Sequence, residues 1–337
     1  MAEAKKITTA QRMMNFAALT RKHMHMLPSQ VATSELETLQ FTLPKTRLLA
    51  QIFLKVDVTC TNVTEKTSKP VYNPYKILRN ISLDLNNGFR PFVMSGEEAA
   101  IYNTVATHSE KITGTNGMYK ESGTKGNYSV VLELKNTLND SMLQGLILLQ
   151  NNATMVTLNV DIGKATDVFQ AGTFGSVKVT PMIVTYSVPA VQEAFPDISV
   201  LKLMQSKTVS FNSAGDNTIY LDTGTIYRKL IVYMQDVYGA PLDVSKVTGN
   251  FELAFNGADI PYSIDPEMLI YFNADEFGRR LPTGVYVFDF SSQSPLIGYG
   301  GSRDYIDTEK LTQFTLKAPT NVACKITTIT EQLSRLA

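Results

Sequence analysis

The side chains best able to do chemistry in this sequence are three carboxylates within predicted strands, Asp84, Asp161 and Asp289. A glycoside hydrolase needs two carboxyl groups that face each other across the scissile bond. The spacing of these three positions does not place any two of them opposite one another. The chain also contains no tryptophan to stack on a sugar ring. A carbohydrate-binding protein or glycan hydrolase is therefore kept as the alternative hypothesis.

Other catalytic and metal-binding patterns are missing from the sequence. No G-x-S-x-G, H-E-x-x-H or C-x-x-C motif occurs, and the glycines at 298–301 lack the lysine of a phosphate-binding loop. Cys60 and Cys324 are too few for a disulfide framework and are predicted to be buried free thiols. The three histidines are His23, His25 and His108. We predict no catalytic, cofactor-binding or metal-ligating residue, and a protein that is not an enzyme.

The charges are evenly balanced. The 337 residues include 31 lysines and arginines and 31 aspartates and glutamates, giving a net charge of zero. A nucleic-acid binder usually carries a basic excess, so no direct sequence-specific nucleic-acid binding is predicted. The N-terminus lacks the apolar run of a secretory signal, and no apolar stretch reaches the roughly 20 residues of a membrane span. We expect a soluble chain with room for two domains of about 150 residues each.

A repeat within the chain indicates how those domains are built. Residues 83–103 align with residues 253–273 without a gap, at an offset of 170 positions, and five aligned positions are identical. Each copy predicts a strand, an Asn-Gly turn, an extended proline-containing link and a short helix. Ser95 and Asp265 occupy the same aligned position, and both are residues that cap helix N-termini. The repeat predicts two copies of one structural unit.

The first 28 residues form a basic N-terminal arm. A helix is predicted from Thr8 or Thr9 to about Lys22, and Pro28 closes the segment. An ordinary solvated helix is one interpretation. The other is an arm that faces an anionic surface, either membrane or nucleic acid, because basic residues are attracted to such surfaces. The basic residues, set against the single acidic residue Glu3, are Lys5, Lys6, Arg12, Arg21 and Lys22.

Most of the remaining chain predicts short strands with turn signals between them, which is typical of a sandwich or a jelly roll. Residues 113–127 are predicted to be an exposed loop, and two prolines at 189–196 indicate a linker between halves. Arg279 and Arg280 are predicted either in a solvated loop or in an ion pair between subunits. The predicted strands are 48–60, 77–85, 128–134, 142–150, 154–162, 177–188, 201–211, 218–221, 226–237, 251–255, 284–290, 311–316 and 322–329.

Four segments occur in an order that resembles a known family. They are the basic N-terminal helix, LLAQIFLKVDVTCTN at 48–62, ILRNISLDLNNGFRPF at 77–92 and FGRRLPTGVYVFDFSSQSPLIGYGG at 277–301. The chain resembles the double jelly-roll major capsid proteins of tectivirus-like, membrane-containing icosahedral viruses. The Pro-x-Gly-Val-Tyr stretch at 282–286 is the most specific short match, and the likeness covers most of the chain.

The resemblance implies an all-β fold of two tandem eight-stranded jelly rolls with short capped helices and an N-terminal helix. The implied domains are the arm at 1–28, a first jelly roll at 29–188, a linker at 189–199, a second jelly roll at 200–330 and a C-terminal tail at 331–337. A two-domain jelly-roll carbohydrate-binding protein or glycan hydrolase remains the alternative.

The resemblance also implies what the chain binds and where. The expected assembly is a homotrimer that forms pseudo-hexameric capsomers of an icosahedral shell around an internal membrane, with the arm directed toward that membrane. Neighbouring trimers, penton proteins and minor capsid proteins are the other implied partners. The implied location is the virion capsid, with host cytoplasm as the place of assembly.

Overall fold

The computed structural model describes residues 9–66, 72–86, 88–106, 119–121, 124–138, 145–150, 153, 155–196, 198, 200–292 and 305–335. Strands dominate this part of the chain. The elements of the first half are α1 (Thr9–Leu19), β1 (Lys22–Met26), β2 (Gln30–Ala32), β3 (Thr38–Thr42), β4 (Leu48–Thr64), β5 (Leu78–Leu85), β6 (Phe89–Met94), α2 (Gly96–Ala106), β7 (Tyr119–Glu121), β8 (Asn127–Lys135), β9 (Ile147–Leu148), β10 (Val156–Ile162), α3 (Ala165–Val168) and β11 (Ala171–Tyr186).

The described residues of the second half form nine strands and one α-helix. Its elements are β12 (Val200–Phe211), β13 (Gly215–Leu221), β14 (Ile226–Asp236), β15 (Phe251–Phe255), β16 (Asp259–Ile264), α4 (Pro266–Phe277), β17 (Val285–Asp289), β18 (Ile306–Asp307), β19 (Phe314–Thr320) and β20 (Cys324–Arg335).

Each half is an eight-stranded jelly roll. In the first, one sheet has the order β1-β11-β4-β8 and the facing strands have the order β3-β10-β5-β6. In the second, the orders are β12-β20-β14-β17 and β13-β19-β15-β16. The short strands β2, β7, β9 and β18 add to these sheets at their edges or ends and are left out of the count. When the remaining eight strands of each half are numbered in chain order, the two sheets read 1-8-3-6 and 2-7-4-5, which is the jelly-roll connectivity built from two Greek keys. The predicted fold class is therefore confirmed.

Alternation along the strands places the core between the facing sheets. In β4, Ile52, Leu54 and Val56 are fully buried, while Lys55 between them is exposed. A strand that faces a core on one side and solvent on the other requires this period of two. The two predicted free thiols, Cys60 and Cys324, are both buried and free.

The repeated segments occupy equivalent positions in the two jelly rolls. Leu83 pairs with Phe92 in the β5–β6 hairpin, and Leu253 pairs with Tyr262 in the β15–β16 hairpin, both related by the offset of 170. The pairing register also shifts at equivalent places, between Leu83 and Leu85 in the first hairpin and between Leu253 and Phe255 in the second. Asn86 and Asn256 take left-handed φ values of 55° and 51° at the two turns.

Several sequence predictions need correction. Helix α1 ends at Leu19 rather than near Lys22, because the Thr20 hydroxyl donates to the Phe16 carbonyl at 2.6 Å and residues 22–26 pair with the edge of β11. The proline-containing links are strands β6 and β16, in which Pro91 and Pro261 lie at positions outside the paired register.

The second half also differs from the prediction at two helix and strand ends. Helix α4 continues to Phe277 and ends at Gly278, whose φ of 64° suits the left-handed cap. Residues 331–335 are the last part of strand β20 and not a tail. In the first half, the described part of the strand predicted at 142–150 is 145–150, and within it only Ile147–Leu148 is a strand. Residues 119–121 of the predicted loop pair with β8.

Candidate functional site at the junction of the two jelly rolls

The two jelly rolls share one continuous sheet. Strand β12 of the second pairs in parallel with β6 of the first, with Met204 opposite Phe92 and Gln205 opposite Val93. This contact joins β3-β10-β5-β6 to β12-β20-β14-β17 in a nine-stranded sheet that also includes β18. The segment between the halves packs as well: Ala194 is fully buried, and Phe195 lies against the cluster around Phe16. The junction is therefore an extended interface within one chain.

Helix α2 is the centre of this junction. Ser95 and Glu98 form a reciprocal capping box, in which the Ser95 N–H donates to Glu98 Oε2 at 2.7 Å and the Glu98 N–H donates to Ser95 Oγ at 3.3 Å. Seven consecutive residues of the helix, 99–105, are buried. A helix that is apolar on all sides must be covered on all sides. One face packs on its own jelly roll, and the other covers the outer face of the second jelly roll.

The outer face that α2 covers is apolar at its centre. Ile231, Tyr233 and Ile329 belong to the same buried cluster as Ile101 of the helix, and they alternate with residues that point into the core of the second jelly roll. Polar contacts surround this centre. Ser206 Oγ donates to Glu98 Oε2 at 2.7 Å.

Glu331 on β20 forms buried ion pairs beneath α2 and a hydrogen bond with the helix. Its carboxylate lies 3.5 Å from Lys202 Nζ and 3.2 Å from Arg228 Nε, and it accepts a hydrogen bond from the Tyr102 hydroxyl of α2. Burial acts to raise the pKa of Glu331, but Lys202, Lys229, the Tyr102 hydroxyl and Arg228 together lower it to about 2. The carboxylate is therefore held in its charged form.

The cations of this cluster are buried too. Burial lowers the pKa of Lys202, whose Nζ also donates to the Lys135 carbonyl at 2.9 Å and lies 5.1 Å from the centre of the Tyr102 ring. Burial likewise lowers the pKa of Lys229 to about 8. Lys229 pairs with Asp289, which lies directly opposite it on the neighbouring strand. Charges of both signs are thus paired across the four strands β12, β14, β17 and β20, beneath helix α2.

A second set of polar contacts surrounds Glu97, in the first turn of α2. Burial raises the pKa of Glu97, which lies 3.4 Å from Lys76 Nζ and accepts a hydrogen bond from the Tyr233 hydroxyl at 3.3 Å. A cavity of about 440 Å³ opens beside it, lined also by Glu98 and Asp167. Two of these carboxylates already have partners in the chain: Glu97 is bound by Lys76 and Tyr233, and Glu98 caps α2 and accepts from Ser206.

The three carboxylates singled out in the sequence lie in separate environments. Asp84 pairs with Arg90 at 3.2 Å. Asp161 accepts from Thr38 Oγ1 at 2.7 Å and from Asn80 Nδ2 at 3.1 Å. Asp289 pairs with Lys229 in the other jelly roll. They do not form a facing pair.

Helix α4 is the counterpart of α2 in the second jelly roll. Asp265 Oδ1 accepts from the Glu267 N–H at 2.9 Å and from the Met268 N–H at 3.2 Å, which caps the helix. Asn273 fixes one side of it to β17, through hydrogen bonds of 2.8 and 2.9 Å with the Val287 backbone. Among the described residues, none covers the opposite side of the helix. Its apolar residues are Met268, Tyr271 and Phe272, with exposed fractions of 62%, 73% and 61%.

The remaining predicted residues fall at different places. Arg279 donates to the Thr104 carbonyl at 2.6 Å, so it binds the C-terminal end of α2 within the same chain, where a cation complements the helix dipole. Arg280 is exposed. In the N-terminal arm, Arg12 is exposed on α1, and Arg21 and Lys22 are exposed at the start of β1. Lys5 and Lys6 lie outside the described residues.

The buried cluster has only a weak signal in the sequence. Lys202, Lys229 and Glu331 each interrupt an apolar strand pattern, as in Val-Leu-Lys-Leu-Met at 200–204. Such residues are normally placed on a solvated face. Among the described residues, no group of three or more His, Cys, Asp or Glu side chains could hold a metal ion. No helix in that part of the chain is both long and apolar enough to cross a membrane.

The connectivity and the shared sheet define the class of the fold, a double jelly roll. Solved structures of this class include a crystal structure of the major capsid protein of Sulfolobus turreted icosahedral virus. It matches with a TM-score of 0.70 and 15% identity over 94% of this chain and 97% of that chain. A quasi-atomic PBCV-1 virus capsid structure matches with a TM-score of 0.68 and 11% identity over 93% and 94%. The major capsid protein P2 of bacteriophage PM2 matches with a TM-score of 0.57 and 12% identity over 94% and 98%.

No protein-family model matches this sequence. No curated protein matches it either. At 11 to 15% identity, the solved structures establish the fold, and the function has to be argued from the molecule.

Proposed function

We propose that this chain is the major capsid protein of an icosahedral virus with an internal membrane. The observation that carries the proposal is the duplication: two jelly rolls with the same connectivity are joined side by side through the α2 junction. Three such chains supply six similar units, so a threefold trimer can have a nearly hexagonal outline and contact six neighbours. The capsid proteins with the same fold support this function over the carbohydrate-binding or hydrolase alternative.

The balance of charge is compatible with a crowded shell. A net charge of zero limits repulsion among many copies at close range. Lateral contacts that are individually modest become strong when every trimer makes several at once. The proposed location is the virion shell, with assembly in the host cytoplasm, and the further proposed partners are neighbouring trimers, penton proteins and minor capsid proteins.

The proposal is tested by the mass of the purified protein in solution. A trimer of three times 37.3 kDa is expected at micromolar concentration by light scattering after size exclusion. A strictly monomeric protein at that concentration would count against a capsid role. Binding to a glycan array by such a monomer would support the alternative.

The N-terminal arm is the proposed contact with the internal membrane. Reversing the charge at Lys5, Lys6, Arg12, Arg21 and Lys22 to glutamate should leave the trimer intact. It should weaken binding to vesicles that contain anionic lipid, since each basic residue near such a surface contributes about 1 kcal/mol. Vesicle flotation at low and high salt measures this.

A matched variant controls for net charge. Glutamate at the exposed positions Lys125, Lys164, Lys207, Lys246 and Lys310 changes the total charge equally, and it should leave vesicle binding unchanged if the arm is the contact. Equal loss in both variants, or binding that is insensitive to salt and to the arm, would remove the membrane assignment.

A further inference from the structure

The duplicated helices α2 and α4 have the same position in their jelly rolls but different surroundings. At the offset of 170, Ile101 and Tyr102 of α2 correspond to Tyr271 and Phe272 of α4. The first two are exposed by 0% and 2%, because the second jelly roll covers them. The second two are exposed by 73% and 61%. The face that is buried at the junction inside the chain is therefore apolar and uncovered in its counterpart.

The surface that would match this face is present on the first jelly roll. Inside the chain, α2 lies on the outer face of the sheet β12-β20-β14-β17. The equivalent sheet of the first jelly roll is β1-β11-β4-β8, and its outer face carries a row of directly paired apolar residues. These are Met26, Met182 and Phe53, on three neighbouring strands. Met24 lies on the same face, two residues from Met26.

The row on the first jelly roll is partly open to solvent. Met24 and Met26 are exposed by 68% and 52%, on the edge strand β1. Met182 and Phe53 are half-buried. Exposed methionines that adjoin half-buried apolar residues are typical of a surface that contacts a partner. The opposite face of β4 is buried from Ile52 to Cys60, so the exposure of the methionines does not reflect a loosely packed sheet.

We propose that α4 of one copy docks on the outer face of β1-β11-β4-β8 in a second copy, and repeats between chains the contact that α2 makes within the chain. Each chain carries both surfaces, the α4 face and the outer face of β1-β11-β4-β8. The packing of α2 on β12-β20-β14-β17 is the pattern for the contact between them. Because the two surfaces differ, the contact is head to tail, and it closes into a ring when three chains are joined. The inference rests on the proposed trimer and assigns its interface.

The test changes each surface separately. Tyr271→Glu with Phe272→Glu places two charges on the α4 face, and Met24→Glu with Met26→Glu places two on the β1 face. Because these side chains are exposed in the single chain, we expect each variant to keep the far-ultraviolet circular dichroism of the unmodified protein. We expect the protein concentration required for half-assembly to rise by roughly 100-fold, as for the loss of central interface residues.

A matched control replaces exposed tyrosines elsewhere. Tyr220→Glu with Tyr238→Glu changes residues exposed by 62% and 94% on β13 and in the turn after β14, outside both assigned surfaces, and should leave the trimer unchanged. Analytical ultracentrifugation separates the outcomes. If the unmodified protein is trimeric and either surface variant remains trimeric at the same concentration, the assigned interface is wrong while the capsid proposal stands. If the unmodified protein is monomeric, the capsid proposal itself fails, and with it the interface.

Discussion

Glu331→Gln should lower the free energy of unfolding by about 3 to 5 kcal/mol, the usual cost of removing one partner from a buried ion pair. Glu331 is the only carboxylate that the described contacts place within 3.5 Å of both Lys202 and Arg228. The amide keeps the shape of the side chain but leaves the buried Lys202 and the partly buried Arg228 without their counter-charge. Urea-induced unfolding at neutral pH, followed by circular dichroism, measures the loss. Glu309→Gln, at an exposed position, is the control and should change little.

The pH dependence of stability should change in the same variant. The pKa of Glu331 is about 2 in the folded chain, below its ordinary value of 4.5. A depressed pKa of an acid contributes stability that is fully present above about pH 4.5 and is lost as the pH falls toward 2. The unmodified protein should therefore lose stability across this range more steeply than Glu331→Gln. Parallel curves for the two proteins would contradict this assignment.

Tyr102→Ala should lower the free energy of unfolding by about 3 to 5 kcal/mol, as large aromatic truncations in a core do. The ring is buried between the jelly rolls, and its hydroxyl donates to Glu331. The equivalent substitution in the other helix, Phe272→Ala, should change the stability of a single chain by less than about 0.5 kcal/mol, because Phe272 is largely exposed.

This comparison needs chains that do not assemble. Both substitutions are therefore made together with Met24→Glu and Met26→Glu, so that chemical unfolding reports on the single chain. A large loss for Tyr102→Ala and almost none for Phe272→Ala is the expected result. Equal losses would mean that α2 and α4 are equally covered within the chain, and the difference between the two helices would then have no role in assembly.

The duplicated unit could be predicted from the sequence because its signals are local. Asn86 and Asn256 lie at turns, and Ser95 and Asp265 begin helices, so the aligned segments indicate the same local structure twice. The prediction of links rather than strands at Pro91 and Pro261 was wrong, because a proline usually disfavours a strand. Pro91 and Pro261 are tolerated because each lies where the hairpin register shifts.

The junction could not be predicted, because its chemistry depends on contacts between residues distant in the sequence. Tyr102 and Glu331 are 229 positions apart. A charged residue within a strand normally indicates a solvated face, and only the position of α2 shows that this face of the second jelly roll is covered. The difference between Tyr102 and Phe272 is likewise invisible in the sequence, since both are aromatic residues at the same aligned position.

The most direct test of the account is an electron cryo-microscopy structure of the purified protein. We expect three chains around a threefold axis with six similar lobes. In each chain, Tyr271 and Phe272 of α4 should be covered by Met24, Met26 and Phe53 of the next chain, in the arrangement that α2 has within the chain. A threefold particle in which the α4 face is open to solvent would contradict the assigned contact, and a monomer with no ring would contradict the account as a whole.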